Sequence, residues 1–226
     1  YNGKLQMPPV AAGNFDATGN GGPRMNEAHC LSWIAAGKQL GLEVFWLDAC
    51  WFQATAWGDH DHWGTWDPHP SRFPNGLKPV SDACHRLGSK FILWFEPERV
   101  APGTMIAKEH PEFVLGVEKV GKQGLFKLND PAARRWMTDL LLDRIQEFGL
   151  DWYRNDFNID PLPYWRDNDA PDRQGMTEIR YIEGLYAMWD ELLAKNPGLV
   201  IDNCASGGRR IDLEMCSRSV PLWRSD

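Results

Sequence analysis

Short, almost continuous apolar runs alternate along this chain with longer stretches of helical periodicity. The runs cover 43–48 (EVFWLD), 90–96 (KFILWFE), 150–156 (LDWYRND), 199–204 (LVIDNC) and 220–226 (VPLWRSD). Each is too short for a globular helix, and apolar residues at successive positions predict parallel strands covered on both faces. Between them the spacing predicts helices. Asp130-Pro131 supplies an N-cap and a first helical residue, after which Trp136, Leu140, Leu141, Ile145 and Phe148 recur at helical spacing up to Gly149. A second helix over 176–195 carries Ile182, Leu185, Tyr186, Trp189, Leu192 and Leu193, and stops at Asn196-Pro197-Gly198. An earlier one, over 26–40, puts Leu31, Ile34 and Ala35 on one face and stops at Gly41. No internal repeat or low-complexity linker interrupts the alternation.

Strand and helix in alternation allow either a doubly wound open sheet or a barrel. Polar residues decide between them, because Asp48, Glu96, Asp156, Asn203 with Cys204, and Asp226 each close an apolar run. In a (β/α) barrel the chemistry sits at the carboxyl ends of several strands facing one mouth. A doubly wound sheet would gather such groups at one switch point and would usually open with a phosphate-cradling glycine-rich turn, which the sequence lacks. At 226 residues and 43% hydrophobic, the chain has material for one core, so one α/β domain spanning 1–226 is expected. A net charge of −7 argues against a nucleic-acid partner, which needs clustered Lys and Arg. No apolar run reaches the roughly 18 residues of a membrane span. Five cysteines without a C-x-x-C pair suit reduced thiols, and a cytoplasmic setting is the default expectation.

Two carboxylates carry the candidate chemistry. Strand alternation in 150–158 (LDWYRNDFN) places Trp152, Arg154 and Asp156 on one face, with a guanidinium one pleat from a carboxylate. Such a neighbour favours ionised Asp156, as a carboxylate nucleophile requires; a plain strand-end ion pair accounts for the same residues. Asp226 is the second carboxylate, and glycoside cleavage needs a pair, one to attack the anomeric carbon and one to protonate the departing oxygen. By itself it also suits a helix cap. Gly207 and Gly208 in 203–212 (NCASGGRRID) let backbone approach a ligand, or simply make a turn into a helix. The 12 tryptophans include Trp46, Trp51, Trp57, Trp63 and Trp66 within one short stretch, each either core or a platform for a sugar ring. Asp59-His60-Asp61-His62 holds metal-ligand residue types, but adjacent ligands on one loop make a weak metal site, and no metal or other cofactor is expected.

These motifs together resemble glycoside hydrolase family 36, the microbial α-galactosidase family. The resemblance runs through Phe45-Trp46-Leu47-Asp48, Trp51-Phe52, Trp66 with Arg72-Phe73-Pro74 and Gly76-Leu77, and Trp94-Phe95-Glu96-Pro97-Glu98-Arg99-Val100. It continues through His110-Pro111-Glu112, Asp156-Phe157-Asn158, Cys204-Ala205-Ser206-Gly207-Gly208-Arg209 and Trp223-Arg224-Ser225-Asp226. It implies a TIM-type (β/α)₈ barrel, here its first six or so βα units, with Asp156 as nucleophile after the fourth strand and Asp226 as acid/base after the sixth. It also implies Asp48, Trp66, Arg154, Cys204 and Gly207 as the lining of a sugar subsite. Arg154 stands where many members have Lys, and Asp48-Ala49 where many have two adjacent Asp. A second family Arg, upstream of the nucleophile, has no counterpart in 122–128 (KQGLFKL). The family's N-terminal β-sandwich, last two barrel strands and C-terminal β-domain are not in this sequence, so an open barrel with two exposed strand edges and weak activity of its own is expected.

The implied activity is retaining hydrolysis of terminal α-linked galactose or a close relative, on an oligosaccharide or other α-galactoside, by a full-length protein with room to form a homo-oligomer. Three alternatives stand beside it. They are a carbohydrate-binding or catalytically silent barrel module, an α-glycosidase for another sugar such as α-N-acetylgalactosamine, and a metal-dependent hydrolase built on 59–62.

Overall fold

The structure, a computed structural model of the chain, describes residues 7–13, 24–49, 51–52, 62–116 and 123–225. Along the chain, β1 (Ala11–Gly13) is followed by α1 (Glu27–Gln39), β2 (Val44–Leu47), α2 (Lys78–Arg86), β3 (Lys90–Phe95), β4 (Arg99–Val100), α3 (Met105–Glu109), β5 (Val114–Leu115) and β6 (Gly124–Phe126). Then come α4 (Pro131–Phe148), β7 (Trp152–Asn155), α5 (Leu162–Asn168), α6 (Met176–Lys195), β8 (Val200–Asn203) and α7 (Leu213–Arg218).

The main sheet has the order β1-β2-β3-β7-β8, and every pairing in it is parallel. Its order in space is its order in the chain. A doubly wound sheet would reverse direction at a switch point, whereas a single sense of winding is that of a (β/α) barrel. Beyond β8 the predicted strand over 220–226 is reduced to one parallel bridge, Asp202 with Val220, where Val220 N donates to the Ile201 carbonyl at 2.8 Å. The segment between β3 and α4 folds into a separate antiparallel sheet, β4-β6-β5.

All four residues of β2, β7 and β8 are buried, because each strand is covered on both faces. On the helix side, Phe45, Leu47, Phe91, Leu93, Phe95, Tyr153 and Ile201 join the main core with residues of α2, α4 and α6. On the inner side, Val44, Trp46, Ile92, Trp152 and Val200 form a second cluster. The register aligns Trp46 with Ile92, Ile92 with Trp152 and Trp152 with Val200, so this is one layer across four strands. The next layer up is Trp94, Arg154 and Asp202. The inner face is thus apolar low in the sheet and turns polar toward the strand ends.

The helices follow their caps. Asp130 accepts from the amides of Ala132 and Ala133, and Gly149 ends α4 at φ 66°, a left-handed conformation that glycine adopts without steric cost. Asn26 caps α1 through the His29 amide; Cys30 and Ile34 are its buried residues, while Ala35 faces solvent. In α6 the buried stripe is Thr177, Tyr181, Gly184, Leu185, Met188, Trp189 and Leu192, so Ile182, Tyr186 and Leu193 flank the seam. Strand β1, the small antiparallel sheet and helices α2, α3, α5 and α7 add to the predicted elements. β1 is only three residues long, and its Gly13 lets it pass against Trp46, where a Cβ would lie 2.0 Å from the Trp46 carbonyl oxygen.

Gly184 settles how α6 docks. A Cβ there would lie 2.0 Å from the Leu128 carbonyl oxygen, so helix and loop meet backbone to backbone. Helix propensity favours Ala over Gly by about 1 kcal/mol, but overpacking against backbone costs about 1–3 kcal/mol or more, so the clash wins. Gly184→Ala is expected to lower the urea midpoint, with a net destabilisation of about 1–2 kcal/mol. An unchanged or raised midpoint would show that α6 does not pack this closely on Leu128.

Candidate active site

The strand ends converge as a barrel mouth demands. Asp48 follows β2, Glu96 follows β3, Asp156 follows β7 and Cys204 follows β8, all at the carboxyl ends of parallel neighbours.

Asp156 is 7% exposed and accepts four hydrogen bonds from nitrogen donors. Trp94 Nε1 (3.0 Å) and Asn158 Nδ2 (2.9 Å) donate to Oδ2. The amides of Phe157 (2.8 Å) and Ser206 (3.3 Å) donate to Oδ1. Burial pushes this carboxyl up, but the Arg154 charge and the bonds from Asn158, Trp94 and Cys204 outweigh it, and the group ends below its ordinary value. It is therefore an ionised carboxylate at neutral pH.

Arg154 is equally buried. Its guanidinium lies 4.2 Å above the Trp46 ring, Nε is 3.3 Å from Asp48 Oδ2, and Nη1 bonds Asp202 Oδ2. Asp48 Oδ1 accepts its neighbour Ala49's amide at 2.8 Å. Burial raises Asp48 to about 7, with Arg154 opposing and Asp156 adding to the rise. Asp202 is likewise raised by burial against the pull of Arg154, and its Oδ1 accepts the Leu222 amide. One cation therefore serves Asp48 and Asp202 directly and Asp156 through space.

The loop after β8 closes the site. Cys204 is buried, and its thiol is pushed up to about 12 by burial, opposed by Arg154, so it stays protonated. Gly207 has φ 82°, and its amide is turned inward to Cys204 Sγ at 3.3 Å. Glu96, fully buried and raised to about 7 by burial, accepts Trp63 Nε1, Arg99 Nη1 and the Asn158 amide.

Of the expected site residues, the fold brings Asp48, Arg154, Asp156, Cys204 and Gly207 together. Trp66 is corrected: it is fully buried, packed on Phe52 (5.1 Å), Phe95 (5.6 Å), Trp94 (6.1 Å) and Trp51 (6.4 Å), and presents no ring face to a sugar. Trp51 and Trp63 are core as well, and Trp46 lies beneath Arg154. Asp226 lies outside the described residues, as do Trp57 and 59–61. Trp94, Asn158, Asp202 and Ser206 also belong to the site and are not among the residues expected to line it. Trp94 and Asp202 share the inward face with Arg154 by strand alternation, a signal that was present; Asn158 and Ser206 sit on loops where no periodicity speaks.

The melibiase family model matches residues 4–226. α-Galactosidase Mel36A of Lactobacillus acidophilus is 29% identical over 228 residues, covering 99% of this chain and 31% of that protein. α-Galactosidase 2 of Pediococcus pentosaceus is 31% identical over 207 residues, covering 89% and 29%. Among solved structures, the α-galactosidase of Lactobacillus brevis superposes with a TM-score of 0.86 at 30% identity, over 98% of this chain and 30% of that one. The family 36 α-galactosidase AgaA of Geobacillus stearothermophilus gives 0.85 at 26% identity, over 97% and 31%. Variants of AgaA have been solved in complex with stachyose and with raffinose. The chain spans about 30% of the length of these relatives. Matched by the family model over nearly all its residues, the chain belongs to the melibiase family.

Proposed function

We propose that the protein carrying this chain is a retaining glycoside hydrolase that removes terminal α-linked galactose, with Asp156 as nucleophile and Asp226 as general acid/base. The observation that carries this is the state of Asp156, a buried carboxylate at a strand end, held ionised by four donors and a nearby guanidinium. Membership of a family whose similar proteins are named α-galactosidases supports the substrate.

In the first step an Asp156 oxygen forms a bond to the anomeric carbon as the bond to the leaving oxygen breaks. Asp226 gives its proton to that oxygen. Water then attacks the same carbon, Asp226 takes its proton, and the ester to Asp156 breaks, so two inversions give net retention. Asp48, Arg154, Cys204 and Gly207 are proposed to line the sugar subsite, with Asp48 accepting from sugar hydroxyls. Ala49 leaves this subsite one carboxylate short of the family's usual pair, which makes an α-N-acetylgalactosaminide the natural competitor. The stachyose and raffinose held by AgaA variants support an oligosaccharide α-galactoside as the substrate class.

The deciding experiment is hydrolysis of nitrophenyl α-galactoside by the full-length protein, alongside its N-acetylgalactosaminide and other α-glycosides. Preference for another sugar overturns the galactose assignment, and binding without hydrolysis of any of them makes the protein a carbohydrate-binding module. NMR of the first-formed sugar is expected to show the α-anomer; the β-anomer first would falsify the role of Asp156.

Asp156→Ala is expected to lower kcat on every substrate by about 10⁴-fold or more. Asp226→Ala should spare the first step on substrates whose leaving group needs no proton, such as nitrophenolate, while slowing natural galactosides. Equal losses on both substrate types in single-turnover measurements would remove Asp226 from the acid role.

Because Asp48 titrates near 7, pH should act on binding. Its ionised form accepts sugar hydroxyls, so KM is expected to rise as pH falls below about 7 and the carboxyl takes up a proton. Asp48→Asn should raise KM by an amount equivalent to about 2 kcal/mol and flatten that dependence. A KM that stays level through neutrality in the unaltered enzyme would exclude Asp48 from the subsite.

A further inference from the structure

The loop after β8 contains a chain of hydrogen bonds whose direction is fixed at both ends. Arg209 Nη2 donates to the Phe157 carbonyl at 2.8 Å and lies 3.3 Å from Ser206 Oγ, while its Nε donates to the Ala205 carbonyl at 2.8 Å. A guanidinium has no acceptor, so Ser206 Oγ must accept from it. The hydroxyl proton is then left for Asn158 Oδ1, 2.7 Å away. With its oxygen so engaged, the Asn158 amide presents Nδ2 to Asp156 Oδ2, which as a carboxylate only accepts. The backbone amide of Asn158 donates in turn to Glu96 Oε1.

Without Ser206 Oγ, only the Asp156 carboxylate itself would distinguish the two ends of the Asn158 side-chain amide. Rotation by half a turn would place Oδ1 against Asp156, replacing a donor by a repelling oxygen. Ser206 itself is held at φ 46°, in the left-handed region that a non-glycine residue rarely adopts, and this conformation also aims its amide at Asp156 Oδ1.

We propose that Ser206 is a positioning residue for the nucleophile: its hydroxyl, polarised by Arg209, fixes the amide orientation of Asn158 and through it the carboxylate of Asp156. The loop after one strand thereby sets the geometry of the reacting group after its neighbour. This rests on Asp156 being the nucleophile.

The test is the pH profile of kcat at saturating nitrophenyl α-galactoside in the full-length protein, since the titration of Asp48 acts on KM. Among the described residues, the groups facing Asp156 are Arg154 on its own strand, Asp48 beyond β2, Glu96 beyond β3, Asp202 and Cys204 on β8 and its loop, and Arg210 further along that loop. Changing Ser206 leaves all of them in place. Asp48 and Glu96 stand at about 7, away from the acid limb that reports Asp156, whose carboxyl lies below its ordinary value. Activity needs ionised Asp156 and falls as pH drops through its titration, so a lost donor moves that limb to higher pH.

Ser206→Gly removes the hydroxyl while suiting the left-handed backbone, and Ser206→Ala removes it while keeping Cβ. Both are expected to lose roughly tenfold in kcat with little change in KM, and to shift the acid limb upward. Asn158→Ala should shift it likewise, and the double variant Ser206→Gly, Asn158→Ala should shift it no further, because the two act in one chain. An acid limb that stays in place in both Ser206 variants, whatever the activity, overturns the proposal. So do additive shifts in the double variant. Asp156→Ala run in parallel separates the two failures: full turnover there removes the nucleophile and this inference together, whereas an inactive Asp156→Ala with unmoved Ser206 variants removes the inference alone.

Discussion

The guanidinium of Arg154, sealed between Asp48 and Asp202 and stacked on Trp46, sets the charge balance of the strand ends, since among the described residues no other cation is placed to serve both of those carboxylates. Burying three acids around one base leaves a surplus of negative charge in a medium that resists it. The structure distributes the burden unequally. Asp156 has four nitrogen donors and the Cys204 thiol and stays ionised; Asp48 has the Ala49 amide, the Trp46 side chain and a long contact to Arg154, and holds a proton up to about 7. Neighbouring carboxylates whose environments push them apart are what acid and nucleophile chemistry use. Removing the cation would leave buried carboxylates unpaired, which typically costs about 3–5 kcal/mol.

The shape of that cation matters as much as its charge. An arginine can spread its plane over an indole while Nε and Nη1 address different carboxylates, as here. A lysine at this position would be a compact point charge and could not hold Asp48 and Asp202 from one side while covering Trp46. The inner layer beneath, formed by Trp46, Ile92, Trp152 and Val200, is the apolar floor against which this ion cluster is built.

A second buried network supports the mouth from the helix side. Glu98, wholly buried, accepts Asn155 Nδ2 (3.1 Å), Tyr181 OH (2.9 Å) and Arg210 Nη1 (2.8 Å). Asn155 Oδ1 accepts Tyr153 OH and Trp189 Nε1. Arg210 also packs over the Phe157 ring at 4.7 Å. The segment after β3, strand β7, helix α6 and the loop after β8 are thereby joined through one carboxylate. Such a network stiffens the loops that carry Asn158 and Ser206, and it is satisfied by groups that come from four separate stretches of sequence.

Much of this was legible from the amino-acid order. The apolar runs located β2, β3, β7 and β8, and the Asp130 and Gly149 signals bounded α4, because caps and two-sided burial are local requirements that a sequence must meet in place. Polar residues closing each run also indicated one mouth. Short elements escaped, since three residues of β1 or two of β4 and β5 carry too little pattern to stand out. Composition could not tell a tryptophan that stacks on a sugar from one that fills a core. Trp66 became core because Trp51, Phe52, Trp94 and Phe95 converge on it from distant positions. The sequence by itself therefore determined the longer strands and the main helices and marked Asp156 as a carboxylate closing one of them, all written in local pattern. Only the tertiary structure decided which groups share Arg154, which donors hold Asp156 and which aromatic rings are sealed away, because those depend on contacts between residues far apart in the chain.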